Sequence, residues 1–216
     1  MKRKKKGTWL MTGGLLLIAA ALLLTCYNLW DERRASASAR EVLQELDTVR
    51  PEEPETGNPA TADPGEVEIP DYILDPNREM PVTKIDGGAY IGVLSLPSLG
   101  LELPVMETWN DPNLRIAPCR YSGSAYQDDL IICGHNYTSH FGHLKDLQAG
   151  DIASFTDMDG NVFTYTVAAC ETLPPSAVEE MESGAWDLTL FTCTVGGQSR
   201  ITIRCETALT NESDQS

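Results

Sequence analysis

The sequence predicts a mainly β domain, a closed or nearly closed barrel of about eight short strands, carried behind one N-terminal transmembrane helix. Three observations predict it. An uncharged, mostly apolar run, Thr8 to Trp30, follows the five consecutive basic residues Lys2 to Lys6. A stretch dense in proline and acidic residues then separates that run from the rest of the chain. Beyond it, β-rich segments recur between turn signals, with little helical periodicity.

As a helix the run from residue 8 to residue 30 spans roughly 35 Å, enough to cross a bilayer core with some tilt. Trp9 near one end, and Tyr27 and Trp30 near the other, suit the two membrane interfaces. The basic cluster assigns residues 1–7 to the cytoplasm and places everything after Trp30 outside the cell, in a single-pass membrane protein. A cleaved signal peptide is the rival reading. It calls for a shorter apolar run and a small-x-small site, and Thr25-Cys26-Tyr27-Asn28 offers none. Leu23-Leu24-Thr25-Cys26 faintly resembles a lipoprotein processing site, but that site has Gly or Ala before its cysteine. The expectation is therefore an uncleaved anchor over residues 8–30.

Residues 31–50 follow as a juxtamembrane helix. Val42, Leu43, Leu46 and Val49 form a narrow apolar stripe, which either packs on the following domain or belongs to a free stalk. Residues 51–80 form a linker, interrupted by Pro51, Pro54, Pro59, Pro64, Pro70 and Pro76. Proline at this density blocks both helix and sheet ladders, and like charge keeps the chain extended. The expected role is to hold the domain off the membrane; a segment around Tyr72-Ile73-Leu74 that covers the active site is the alternative. Residues 81–209 are the folded domain and 210–216 a polar tail.

The net charge is −16. Without the basic N-terminal run, eleven basic residues face 32 acidic ones. Such a surface repels phosphate backbones and excludes a nucleic-acid partner.

Within the folded domain, Tyr90 to Leu96 is β-rich and is broken by Pro97-Ser98-Leu99-Gly100. Leu101 to Met106 follows as its partner. Leu130-Ile131-Ile132-Cys133 is a continuous apolar run, as in a strand buried on both faces. Ala153-Ser154-Phe155 and Val162 to Ala169 flank the hairpin turn Met158-Asp159-Gly160-Asn161. Leu188 to Thr192 and Ile201 to Cys205 complete the set. Helix is expected only at Gly142 to Leu147 and Ala177 to Glu182.

Of six cysteines, Cys133 and Cys205 lie in apolar or β-branched runs, where cysteine acts as a small hydrophobe. Cys119 and Cys170 could pair, but no Cys-x-x-Cys pair or dense framework is present, and no disulfide is expected. Cys193 differs: it ends the run Leu188 to Thr192 and precedes Thr194-Val195-Gly196-Gly197. A thiol where a strand opens into a glycine-rich loop is either an exposed nucleophile or one more packed side chain. His135 stands at the end of the strand Leu130 to Cys133. An imidazole near a thiol can take its proton and later protonate a leaving amine. Arg200, Thr202 and Arg204 alternate with Ile201 and Ile203. Arg200 follows the loop after Cys193, where a guanidinium can hold an oxyanion or substrate carbonyls, or can simply be a solvated charge.

Thr189-Leu190-Phe191-Thr192-Cys193 resembles the TLxTC signature of the sortase family. Arg200-Ile201-Thr202-Ile203 is similar to that family's arginine strand. Gly134-His135-Asn136, with Phe141-Gly142-His143-Leu144 and Leu147-x-x-Gly150-Asp151, is similar to its histidine region. The likeness runs from about Tyr90 to Glu206.

The resemblance implies an eight-stranded sortase-type barrel in a Gram-positive cell wall. Cys193 would attack a threonine carbonyl in an LPxTG-like or NPxTG-like sorting signal of a secreted protein. An amine of a cell-wall precursor or a pilin would resolve the thioester. His135 and Arg200 are the implied catalytic partners, with Thr192 and Asn136 as substrate-binding residues. No cofactor and no metal is implied. With ordinary values near 8.5 and 6.5, the thiol and imidazole would rest mostly neutral at pH 7.

Three other functions compete with this reading. Zinc could be held by His135, His140 and His143, although their spacing is not HExxH. A cysteine peptidase would resolve the thioester with water. A noncatalytic surface-binding module would leave Cys193 idle.

Overall fold

The computed structural model describes residues 4–49, 69–194 and 196–208. The anchor and the juxtamembrane helix are one element: α1 runs unbroken over Lys4–Val49. Its two halves have opposite surroundings. From Trp9 to Trp30 the large apolar side chains are exposed, which suits a helix long and apolar enough to cross a membrane. Farther along, Ala35, Ala39, Val42 and Leu46 are buried. The spacing of these four puts them on one face. Val42 and Leu46 pack into a cluster with Ile85, Tyr90, Val93, Met106, Ala117, Cys119 and Cys133. Each of these two side chains contributes about 1.5–3 kcal/mol through its burial. The narrow stripe thus packs on the folded domain. Segment 51–80, expected as a spacer, connects two pieces that already touch. Its residues 51–68 lie outside the described ones, as do residue 50 and the tail from residue 209. The remainder carries the one-turn α2 (Asp71–Leu74). Tyr72 there stacks on Tyr126 at 5.0 Å, with Phe163 beside it. That segment seats on the barrel wall.

Among the described residues nine strands follow: β1 (Thr83–Ile85), β2 (Gly88–Leu96), β3 (Leu101–Met106), β4 (Cys119–Ser122), β5 (Leu130–Gly134), β6 (Ile152–Asp157), β7 (Val162–Leu173), β8 (Leu188–Cys193) and β9 (Arg200–Thr207). The one-turn helices α3 (Asp111–Leu114) and α4 (Val178–Met181) lie in the β3–β4 and β7–β8 connections. Eight strands close a ring in the order β2-β3-β4-β5-β8-β9-β7-β6, completed by a β2–β6 pairing. β1 adds a ninth, outside the ring, as a hairpin on β2. Its turn is Asp86-Gly87, both with positive φ (46° and 80°), as the primed hairpin turns require.

Full closure leaves no free edge in the ring. The interior is filled by Ile91, Leu94, Leu103, Leu130, Ile132, Phe155, Tyr165, Leu188, Leu190 and Ile203, among others. The expected helical piece at residues 142–147 is a short 3-10 turn, Leu144–Asp146.

Two pairings position the site. β5 and β8 run parallel, with Cys133 opposite Phe191 and Gly134 opposite Thr192. β8 and β9 run antiparallel, with Cys193 opposite Arg200 and Thr189 opposite Arg204. The ends of β5 and β8 and the start of β9 therefore lie side by side.

Candidate active site

Residues His135 and Cys193 each come one position after the last residues of the parallel β5–β8 ladder, Gly134 and Thr192. Arg200 faces Cys193 across the antiparallel ladder. All three line one cleft of about 380 Å³, together with Trp109, Tyr121, Phe191, Val178 and Met181. Trp109 stacks on Tyr121 at 5.8 Å, and Tyr121 meets Phe191 edge-on at 5.3 Å. One side of the cleft is thus an aromatic row.

Backbone closeness fixes the histidine end. A Cβ on Gly134 would stand 2.7 Å from the Phe141 ring, so only glycine lets Phe141 cover the strand end before His135. The loop then folds back on itself: Phe141 N–H donates to the His135 carbonyl at 3.1 Å, and His140 and Gly142 N–H donate to that of Tyr137. Helix α1 holds this loop from outside. The Tyr137 hydroxyl donates to Asp31 at 2.7 Å, and Thr138 N–H donates to Glu32 at 2.8 Å. The Tyr137 ring lies 4.9 Å from the ring of His135.

Burial lowers the pKa of His135, and the Arg115 guanidinium lowers it further. Asp31 and Asp111 oppose them. The imidazole is accordingly neutral at neutral pH. His140 is fully buried and neither ring nitrogen has a hydrogen-bond partner. Burial, helped by His135, drives its pKa down to about 4. It is a packed core residue of the loop. His143 faces Asp146 at 3.0 Å instead. Among the described residues no three His, Cys, Asp or Glu side chains form a metal-binding group.

The sulfur end has its own order. Cys193 is partly exposed, whereas Cys119, Cys133 and Cys205 are buried and Cys170 is exposed on β7; all are free thiols. Cys133 lines the cleft beside it. Burial, with the neighbouring Cys193, pushes the Cys133 thiol up to about 12, which leaves it un-ionised and inert. The loop after β8 is closed by Thr194 N–H to the Ser199 carbonyl at 2.9 Å and Gly197 N–H to that of Thr194 at 2.8 Å. The Arg200 guanidinium bonds its own loop, at the Gly197 and Ser199 carbonyls (3.1 and 3.2 Å), and so stays near the sulfur.

Not every expected site residue meets the cleft. Thr192 lines it, but its hydroxyl donates to the Gly134 carbonyl at 2.8 Å and ties β8 to β5. Asn136 is exposed and is not among the residues lining the cleft. Arg204, which alternation put on the same face as Arg200, is buried with 2% exposure. The residues that sequence reasoning missed are Arg115, Trp109, Tyr121 and the carboxylates of α1. Of these only α1 had a sequence signal, the apolar stripe that includes Val42 and Leu46 and that packs on the barrel.

The family described as Sortase domain matches residues 94–208. The chain belongs to the sortase family. Sortase A of Bacillus anthracis is 25% identical over 185 residues, covering 83% of this chain and 84% of that protein. Among solved structures, sortase C1 from Streptococcus agalactiae superposes with a TM-score of 0.52 at 24% identity, covering 64% of this chain and 76% of its own. Sortase C of Clostridium perfringens, solved with the C-terminal cell wall sorting motif, gives 0.50 at 19% identity and covers 56% and 71%. The barrel is therefore the sortase barrel, and the family's activity is cysteine transpeptidation on proteins that carry cell-wall sorting signals. One apolar N-terminal helix fits the membrane anchor of such a cell-surface enzyme.

Proposed function

We propose that this sortase is held in the membrane by residues 8–30, with its N-terminus cytoplasmic and its barrel outside. There it joins secreted proteins to an amine of a cell-wall precursor or a pilin. The observation that carries the reading is the convergence of His135, Cys193 and Arg200 on one cleft, at the adjoining ends of β5, β8 and β9.

That convergence supports the following chemistry. A sorting peptide lies along the aromatic row with its scissile threonine carbonyl over Cys193. Neutral His135 accepts the thiol proton as the sulfur attacks the carbonyl carbon. Arg200 turns from its loop carbonyls to the tetrahedral oxyanion, a planar donor aimed at developing charge. The C–N bond breaks, and His135 returns the proton to the departing amine. An incoming amine then attacks the thioester, gives its proton to His135, and releases Cys193 with a new amide bond. Water in place of the amine would make the enzyme a peptidase.

Incubation of the protein with LPxTG-like and NPxTG-like peptides, with and without an added amine, tests this by mass spectrometry. A thioester on Cys193 that becomes an amide only with amine present is the expected result. Hydrolysis that added amine does not divert would make it a peptidase. A Cys193 that no such peptide acylates would end the reading.

A further inference from the structure

The β7–β8 connection, residues 174–187, forms one wall of the cleft: Pro174, Pro175, Ala177, Val178 and Met181 all line it. This wall has little packing of its own. Of its residues only Ala177 and Met181 are buried. Behind it, a small cavity of about 50 Å³ opens between Met181, Gly184, Trp186, Thr189 and Arg204. Apolar contact alone does not fix such a segment, because a short stretch with two buried side chains has low local stability.

Arg204 supplies what packing does not. It shares one face of β9 with Arg200, and its partner across the ladder is Thr189. From beneath the wall its guanidinium donates to the Glu180 carbonyl at 2.7 Å and the Met181 carbonyl at 3.3 Å. Those two carbonyls close the one-turn helix α4, whose last C=O groups have no helical partner. The same guanidinium donates to Thr189 Oγ1 at 3.0 Å and pairs with Glu171 at 2.6 Å. The charge is thereby neutralised and four acceptors are held in one plane by a rigid fork, which a lysine cannot reproduce. We infer that Arg204 is a specificity-positioning residue: it clamps α4 to the barrel so that Val178 and Met181 form a fixed apolar wall for the donor peptide's side chains before the scissile bond. It touches no reacting atom and acts through α4. This rests on the cleft being the donor-peptide site.

Arg204→Met tests it in the full-length protein. The substitution removes a buried cation and leaves one charged partner, Glu171, whose side chain is 40% exposed and so stays solvated, besides three neutral acceptors, Thr189 Oγ1 and the Glu180 and Met181 carbonyls, and the barrel is expected to fold. Thr189→Val, which deletes one acceptor and keeps the shape, is the milder second variant. The readouts are KM and kcat for thioester formation with two sorting peptides that differ in the size of the apolar residue before the scissile bond. The alkylation rate of Cys193 by iodoacetamide reports the thiol alone.

Arg204→Met is expected to raise KM about tenfold, to move kcat by less than about threefold, and to erode the preference between the peptides. Alkylation is expected to stay at the wild-type rate. Thr189→Val should shift KM and preference the same way by less. Unchanged KM and preference in both variants would overturn the inference. So would an equal loss of kcat on both peptides at constant KM, which is what a general stabilising role produces. If the wild-type protein forms no thioester with either peptide, the reading of the cleft itself falls, and that result is separate from any variant.

Discussion

Cys193 and Arg200 face each other across a backbone ladder, while His135 leaves its ladder at Gly134 and enters a loop that Tyr137 and Thr138 tie to a helix about a hundred residues upstream. On the first side, Cys193 and Arg200 are direct partners across β8 and β9, and the loop between them is closed by its own hydrogen bonds. Nothing outside the barrel is needed. On the second side, the loop after β5 leans on Asp31 and Glu32 of α1, which directly follow Trp30 at the end of the apolar run. The difference separates two tasks. A nucleophile and an oxyanion donor must keep one fixed geometry, which a sheet register supplies. The proposed proton carrier stands in a loop tied to α1, and Asp31 of that helix acts on its charge, so its position and charge state are expected to respond to α1.

The variant with the largest effect breaks the ladder side. Cys193→Ala removes the sulfur from a partly exposed position, so the fold is expected to survive while thioester formation on a sorting peptide disappears. A variant that still turns over at the wild-type rate would remove Cys193 from the mechanism. Arg200→Lys comes next. An ammonium keeps the charge but loses the planar fork, and the acylation rate is expected to fall about a hundredfold, the scale of losing one oxyanion donor. Near-wild-type kinetics would show that charge near the sulfur is sufficient.

How much of this was legible in the sequence follows the same division. β5, β8 and β9 announced themselves as apolar or alternating runs, and Cys193, His135 and Arg200 stood at their ends. Their meeting is a consequence of the strand order of the ring; the family resemblance implied the eight-stranded barrel but the local runs did not show which strands are neighbours. β4 was not legible: Cys119–Ser122 is four residues long and half polar, and it is a strand because β5 pairs with it. Arg200 and Arg204 looked alike in the alternation. They differ because residues 174–187, which carry no strand signal, cover Arg204 and leave Arg200 at the mouth of the cleft. The α1 contacts were hidden for another reason. Asp31 and Glu32 read as ordinary charges at a helix boundary, and no local pattern points from them to Tyr137 and Thr138. Asn136 was misleading in the opposite sense, since adjacency to His135 in sequence put it on the exposed side of the loop.

Two smaller effects sharpen the histidine side. Tyr137→Phe deletes the bond to Asp31 and keeps the ring beside His135. The loop loses one of its two ties to α1, so kcat for acylation is expected to fall by about threefold to tenfold with KM little changed. A drop in KM affinity instead would place Tyr137 on the substrate.

The smallest effect concerns protonation. The proposed step needs a neutral imidazole, so the acylation rate rises with pH through the pKa of His135 and is flat above it. That pKa is depressed, by burial first and then by Arg115; the acid limb therefore lies below the ordinary histidine range. Arg115→Ala removes a positive charge that disfavours the imidazolium. The pKa must then move up, and the acid limb moves with it toward neutral pH while the plateau rate stays within about twofold. Asp31→Asn acts with the opposite sign, because the carboxylate favours the imidazolium and its loss lowers the pKa further. A pH–rate profile of kcat/KM for thioester formation, paired with an NMR titration of His135, reads both shifts. If the two variants move the limb in the same direction, Arg115 and Asp31 do not act on His135 through their charges. The link between anchor and proton carrier would then be one of position alone.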